Sequence, residues 1–264
     1  VFNLSFLLPL LHYIRKKTPL SMTLGAILLW IFPTMTEVFW CDGSCADFSM
    51  AVVYGAFLVA VIDRKGTSPW LYYGRQALYL MVLVLCKNTG FVWYGFAVLF
   101  SIGVQILSRK MGENLWQKRT AVWGTLSVMV LPLLSGGGWF AFCYLHRRVA
   151  KLTGAAVQMA TGGMNIPEVK EQMLRAFGEA FVKWPLHRSP TWLFDFSPLV
   201  LLLFLLAVYI LLIVRKKLDR RMGRFLLIYT AVTAVLFYTL VLISHLTVFA
   251  VETQYLEPYG MVSS

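Results

Sequence analysis

Charge is scarce in this chain. Only 14% of its 264 residues are Asp, Glu, Lys or Arg, where a soluble domain carries about a quarter. Acidic residues are the scarcer sign, 12 against 24 Lys and Arg. Cysteine is also sparse: Cys41, Cys45, Cys86 and Cys143 form no CxxC pair and no Cys/His set, which excludes zinc-ribbon and disulfide-dense scaffolds. Cys41 and Cys45 share a loop, and whether they pair is open from sequence. His12, His146, His187 and His245 have no metal-like spacing. The apolar runs lack the period-two alternation of a transmembrane barrel. Internal repeats, low-complexity tracts and a signal-peptide pattern are all missing. The chain opens on Val1, already inside an apolar run, so the expectation is a fragment with sequence missing upstream.

What fills the chain instead is apolar, 59% by composition. Long apolar runs bounded by Arg/Lys clusters predict an all-α, polytopic helical membrane protein. The expected architecture is a single transmembrane domain over 1–264, with about seven to eight membrane helices. The net charge of +12 does not indicate nucleic acid, because the basic residues sit in short loops where anionic lipid heads meet them. Spans are expected near 1–14, 19–40, 48–62, 120–145, 196–214 and 225–250, the last two separated by RKKLDRRMGR. In the 120–145 span, Pro132 and Gly136-Gly137-Gly138 predict a kink. Residues 67–75 (TSPWLYYGR) read as interfacial, with Pro69 breaking the chain and Trp70, Tyr72 and Tyr73 at the lipid boundary. The polar stretch 147–195 is a loop insertion. Within it Asn165-Ile166-Pro167-Glu168 opens an amphipathic helix over 166–184, lying on the membrane surface or packing within a small loop domain.

The stretch 76–107 sets the orientation. It is apolar except for Lys87-Asn88-Thr89-Gly90 near its middle. At 32 residues it exceeds the about 20 needed for one span. It is either one long tilted helix or two short ones meeting at a polar turn. Two helices put 16 basic and three acidic residues on one side, net +13, and eight basic and nine acidic on the other, net −1. One long helix nearly abolishes that bias. Positive residues collect on the cytoplasmic side of short loops, so a short hairpin is expected. Its tip, the 41–47 loop, the 147–195 segment and the C-terminal tail then face the extracytoplasmic side.

Candidate functional residues gather on that face. Lys87 interrupts an apolar run, and an ionisable residue there is a functional candidate by default. Its ammonium suits a lipid phosphate, the alternative being that it snorkels to the headgroups. Arg147 and Arg148 have the geometry to clamp a phosphate, or they simply stop a span. Asp47, heading a helix, suits a base, a metal ligand or an N-cap, and Asp42 lies in the same loop. Glu252 and Tyr255 follow the last span.

The order of these features resembles bacterial GT-C membrane glycosyltransferases over roughly residues 40–260. The likeness rests on Asp47-Phe48-Ser49-Met50-Ala51-Val52-Val53-Tyr54-Gly55, on Leu85-Cys86-Lys87-Asn88-Thr89-Gly90, and on the tail Val251-Glu252-Thr253-Gln254-Tyr255-Leu256-Glu257-Pro258-Tyr259. The arginine such tails usually carry is absent, with Gly260 and Met261 following instead. The resemblance implies transfer of a sugar from a polyprenyl-phosphate-linked donor to an extracytoplasmic glycan or lipid acceptor, in a bacterial plasma membrane. In such enzymes an acid activates the acceptor hydroxyl and basic residues hold the lipid phosphate. It makes Asp47 and Asp42 the candidate catalytic acids, and Lys87, Arg147, Arg148, Glu252 and Tyr255 the candidate donor-binding residues. The family's main carboxylate sits in the first external loop, which falls upstream of Val1, so Asp47 is expected either to support that carboxylate or to be an acceptor-side acid. A divalent metal is compatible, and no cofactor is assigned. The competing readings are a multi-pass transporter or flippase and a non-catalytic membrane scaffold.

Overall fold

A computed structural model describes Leu11, Ile14 and residues 17–36, 46–64, 66–112, 116–148, 170–183 and 196–247. Among the described residues the chain is all-α. Its eight helices are α1 (Pro19–Thr36), α2 (Ala46–Ile62), α3 (Pro69–Cys86), α4 (Gly90–Lys110), α5 (Lys118–Leu145), α6 (Lys170–Lys183), α7 (Pro198–Val214) and α8 (Arg220–Leu246). Three of them, α4, α5 and α8, are long and apolar enough to cross a membrane. Leu134, Phe204 and Val235 are each about two-thirds exposed, an outward apolar surface that lipid accommodates and water does not.

Several helix starts follow one local rule. Thr18-Pro19, Ser68-Pro69 and Ser197-Pro198 each place a hydroxyl at the N-cap and a proline at the first helical position. There its missing N–H costs nothing and its fixed φ suits the helix. Ser68 accepts from the Leu71 N–H and Ser197 from the Val200 N–H, both at 3.4 Å. Thr18 and Ser21 cap reciprocally, each backbone N–H donating to the other's hydroxyl at 3.0 and 3.2 Å. Pro69 therefore opens α3 where the sequence reading has it break the chain.

The chain forms two compact units, Val1–Phe142 and Cys143–Ser264. In the first, α2, α3 and α4 pack on one another, around Val53, Phe57, Tyr72, Leu80, Leu83 and Phe100. The 76–107 stretch is divided between two helices, with the turn at Lys87-Asn88-Thr89. α5 lies along α3 and α4, its Gly124 under the Tyr73 ring and its Gly136 under Phe91, where a Cβ would overlap the aromatic carbons. Tyr94 donates to the Met129 carbonyl at 2.6 Å. A polar chain, buried at Gln76 and Ser101 and part-buried at Gln105 and Thr125, ties three helices together. Ser101 of α4 donates to Gln76 of α3 at 3.4 Å, Gln105 to Ser101 at 3.4 Å, and Thr125 of α5 to Gln105 at 3.0 Å. Such bonds join helices where no hydrophobic effect drives them together.

Two sequence expectations are corrected here. Tyr72 and Tyr73 are buried and meet the Trp116 ring at a tilt, at 4.8 and 5.5 Å; only Trp70, 85% exposed, faces outward as a boundary residue. α5 continues as one helix through Pro132, as a proline kink within a helix allows. α8 begins at Arg220 rather than 225, because Asp219 accepts from the Arg221 and Met222 N–H groups at 2.9 and 3.1 Å and caps it there.

In the second unit α6, α7 and α8 pack together. α6 is the core of the expected 166–184 helix; residues 166–169 and Trp184 lie outside the described residues. Its Met173, Ala176 and Ala180 are buried. Phe181 meets Tyr238 edge-on at 4.7 Å and Phe177 lies 6.0 Å from His245. The face so buried packs on α7 and α8.

Candidate functional site

The site is assembled at one end of the first unit. α2 starts there, α3 ends there and α4 starts there. Lys87 leaves α3 in extended backbone (φ −159°, ψ 154°), and Gly90 N–H returns to the Lys87 carbonyl at 2.8 Å to start α4. Gly90 is required at this return. A Cβ on it would overlap the Leu83 carbonyl, backbone that has no room to yield.

This turn aims the lysine at the first turn of α2. Lys87 Nζ donates to both Asp47 oxygens, at 2.7 Å to Oδ2 and 2.9 Å to Oδ1. The two residues are 40 positions apart and each about half exposed, 44% for the lysine and 51% for the aspartate. Thr89 Oγ1 lies 3.9 Å from Met50 Sδ and closes the same junction. Two turns deeper, Tyr54 of α2 meets Trp93 of α4 at 5.1 Å, and Trp93 meets Phe96 edge-on at 5.8 Å. Asp47, Met50 and Tyr54 thus share one face of α2, at helical spacing.

The electrostatics suit an anion. Two helix N-termini, those of α2 and α4, bring partial positive charge to the same place as the Lys87 ammonium. Asp47 offsets that charge in this state. An ion pair so open to water contributes only about 0.2–1 kcal/mol, so it holds Lys87 on Asp47 only weakly.

The remaining candidates fall differently. Arg147 and Arg148 close α5. Arg147 takes a left-handed conformation (φ 53°), its N–H reaches the Tyr144 carbonyl at 3.1 Å, and the Arg148 N–H reaches Cys143 at 2.8 Å. This is the hydrogen-bond pattern of a helix stop, with arginine where glycine is usual. Lys216 (φ 52°) ends α7 the same way. Both arginines are exposed. They belong to the second unit, where the helix-stop role read from sequence is the one with geometry behind it. Asp42, Glu252 and Tyr255 lie outside the described residues, as do Cys41 and Cys45. Among the described residues no group of three His, Cys, Asp or Glu side chains is arranged to hold a metal ion.

Sequence reading missed the opposite end of the same bundle. There Tyr72 donates to the Val61 carbonyl at 2.8 Å, and Arg75 to the Ala60 and Asp63 carbonyls at 3.3 and 3.4 Å. Two α3 side chains thus satisfy the last carbonyls of α2. The signal was the spacing of Tyr72, Tyr73, Gln76, Ala77 and Leu80, which marks one buried helix face.

No protein-family model, curated protein or solved structure matches this chain.

Proposed function

We propose that this chain is a polytopic membrane protein of about seven to eight membrane helices that transfers a sugar from a polyprenyl-phosphate-linked donor to an extracytoplasmic acceptor. The observation that carries the reading is the half-exposed Lys87–Asp47 pair, 2.7 Å apart, at the mouth of the α2–α3–α4 bundle. It joins a phosphate-binding cation to a carboxylate with the reach of a proton acceptor.

In this reading the donor phosphate takes the Lys87 ammonium and the two helix N-termini, which releases Asp47. The acceptor hydroxyl oxygen attacks the anomeric carbon, and the bond from that carbon to the phosphate oxygen breaks. Polyprenyl phosphate leaves with the bonding pair, its charge held by Lys87. The hydroxyl proton passes to a carboxylate on the acceptor side, the role assigned to Asp47. Tyr54 and Trp93 form the apolar floor below.

The test uses the full-length protein in native membranes, with Lys87→Ala and the reciprocal exchange Lys87→Asp with Asp47→Lys. Loss of a group that stabilises developing charge costs about 100- to 1,000-fold in rate, so Lys87→Ala is expected to lower transfer by that order. The exchange keeps the ion pair and removes the cation from the hairpin tip. Normal protein levels with transfer still lost support the reading, whereas full rescue by the exchange makes the pair structural. Solute uptake that depends on Lys87, with no glycosyl transfer, replaces the transferase with a transporter.

A further inference from the structure

Between α3 and α5, on the outer side of the first unit, runs a groove of about 710 Å³. That size lies within the range of about 300–1,000 Å³ usual for small-molecule sites. It starts at Pro69, Trp70 and Arg119 and ends at Met81 and Leu131. Each wall therefore advances twelve residues, about 18 Å at about 1.5 Å per residue. One leaflet of a bilayer has about 15 Å of hydrocarbon, so the groove is as deep as one leaflet.

Its chemistry is graded along that depth. Arg119 is the only charged residue in its lining and stands at the mouth. It is exposed. Trp70 and Trp123, 85% and 61% exposed, flank the mouth, as indoles do at headgroup level. Gly74, Ala77 and Gly124 keep the floor low further in, and Leu78, Met81 and Leu131 make the deep end apolar. The mouth lies at the end of the bundle where Arg75 meets the α2 carbonyls and where α4 finishes on Arg109 and Lys110.

We infer that this groove holds one acyl chain of an anionic phospholipid, with its phosphate on Arg119. Charge complementarity selects the headgroup, and the match of groove depth to leaflet depth selects the chain. The inference goes beyond the sugar-transfer reading, since it concerns the opposite end of the bundle from Lys87 and stands whether or not transfer occurs.

The test is native mass spectrometry on the full chain released from nanodiscs of mixed phosphatidylcholine and phosphatidylglycerol. One basic residue near a membrane surface favours an anionic lipid by about fivefold. The wild type is expected to retain phosphatidylglycerol over phosphatidylcholine by about that factor, and Arg119→Gln to equalise the two. Gly74 has open space where its Cβ would be, so Gly74→Leu fills the groove without straining the fold and is expected to lose both lipids. Unchanged retention in Gly74→Leu overturns the proposal. So does an equal effect from Arg221→Gln, a cation of the other unit, which makes the preference a general surface-charge effect. If Gly74→Leu converts a dimer to a monomer with lipid retention intact, the groove holds a second copy and the lipid assignment is wrong.

Discussion

At the scale of single residues, the candidate site depends on one hydrogen atom where a methyl would otherwise be. Gly90 lets α4 start within contact of the Leu83 carbonyl, and that closeness fixes where Lys87 projects. Gly90→Ala forces backbone apart, and an extra methylene in a packed site costs about 1–3 kcal/mol. Gly95, one turn later on α4, has nothing near its Cβ position. Gly95→Ala therefore gains about 0.5–1 kcal/mol from higher helix propensity. The two variants are expected to move the melting temperature in detergent in opposite directions. Equal stabilisation by both would mean that α3 and α4 do not approach closely at Gly90. The same scale explains what was legible in Lys87 and what was not. An isolated charge within an apolar run marks itself in a sequence. Its partner does not, because Asp47 lies 40 positions away and only the hairpin turn brings the two together.

At the scale of elements, apolar runs located the helix bodies but misplaced several of their ends. Ends are set by single hydrogen bonds, and the residues that make them look like loop. Ser68-Pro69 looks like a break in sequence, yet Ser68 caps α3. The ten residues RKKLDRRMGR look like one loop, yet Asp219 starts α8 in their midst. The aromatic character of Tyr72 and Tyr73 suggests the lipid boundary, whereas their spacing to Gln76 and Leu80 puts them on the buried face. Asp219 also gives α8 a pH dependence. The Met222 and Arg221 N–H groups hold its carboxyl below its usual value near 3.8. The folded state thus binds this proton less readily than the unfolded state. The stabilisation is complete above pH 3.8 and is lost as pH falls from there through the depressed folded value. Asparagine caps as well and does not titrate. Melting in detergent from neutral pH down to below that value should therefore show the wild type losing stability relative to Asp219→Asn only at the acid end. Parallel curves throughout would remove the cap from the account.

At the scale of the whole molecule, the question is which end of the first unit faces which compartment. Helix lengths define the ends. α5 has 28 residues and α8 has 27, about 42 and 40 Å, longer than a hydrocarbon core of about 30 Å. Their last turns therefore reach the headgroups, where Arg147 and Arg148 close α5 in exposed positions. Charge then chooses the side. Arg64, Arg75, Arg109, Lys110, Lys118 and Arg119, against Asp63, belong to the end of the α2–α5 bundle away from Lys87; Asp47 offsets Lys87, which leaves Arg147 and Arg148 past the far end of α5. The more basic end of a bundle is expected in the cytoplasm. In a cysteine-free background, Asn88→Cys is expected to react with an impermeant maleimide added outside intact cells. Gly112→Cys, at the exposed foot of α4, is expected to react only after permeabilisation. The reverse pattern puts Lys87 and Asp47 in the cytoplasm. An extracytoplasmic acceptor is then ruled out, while the groove at Arg119 moves to the outer leaflet with its chemistry intact.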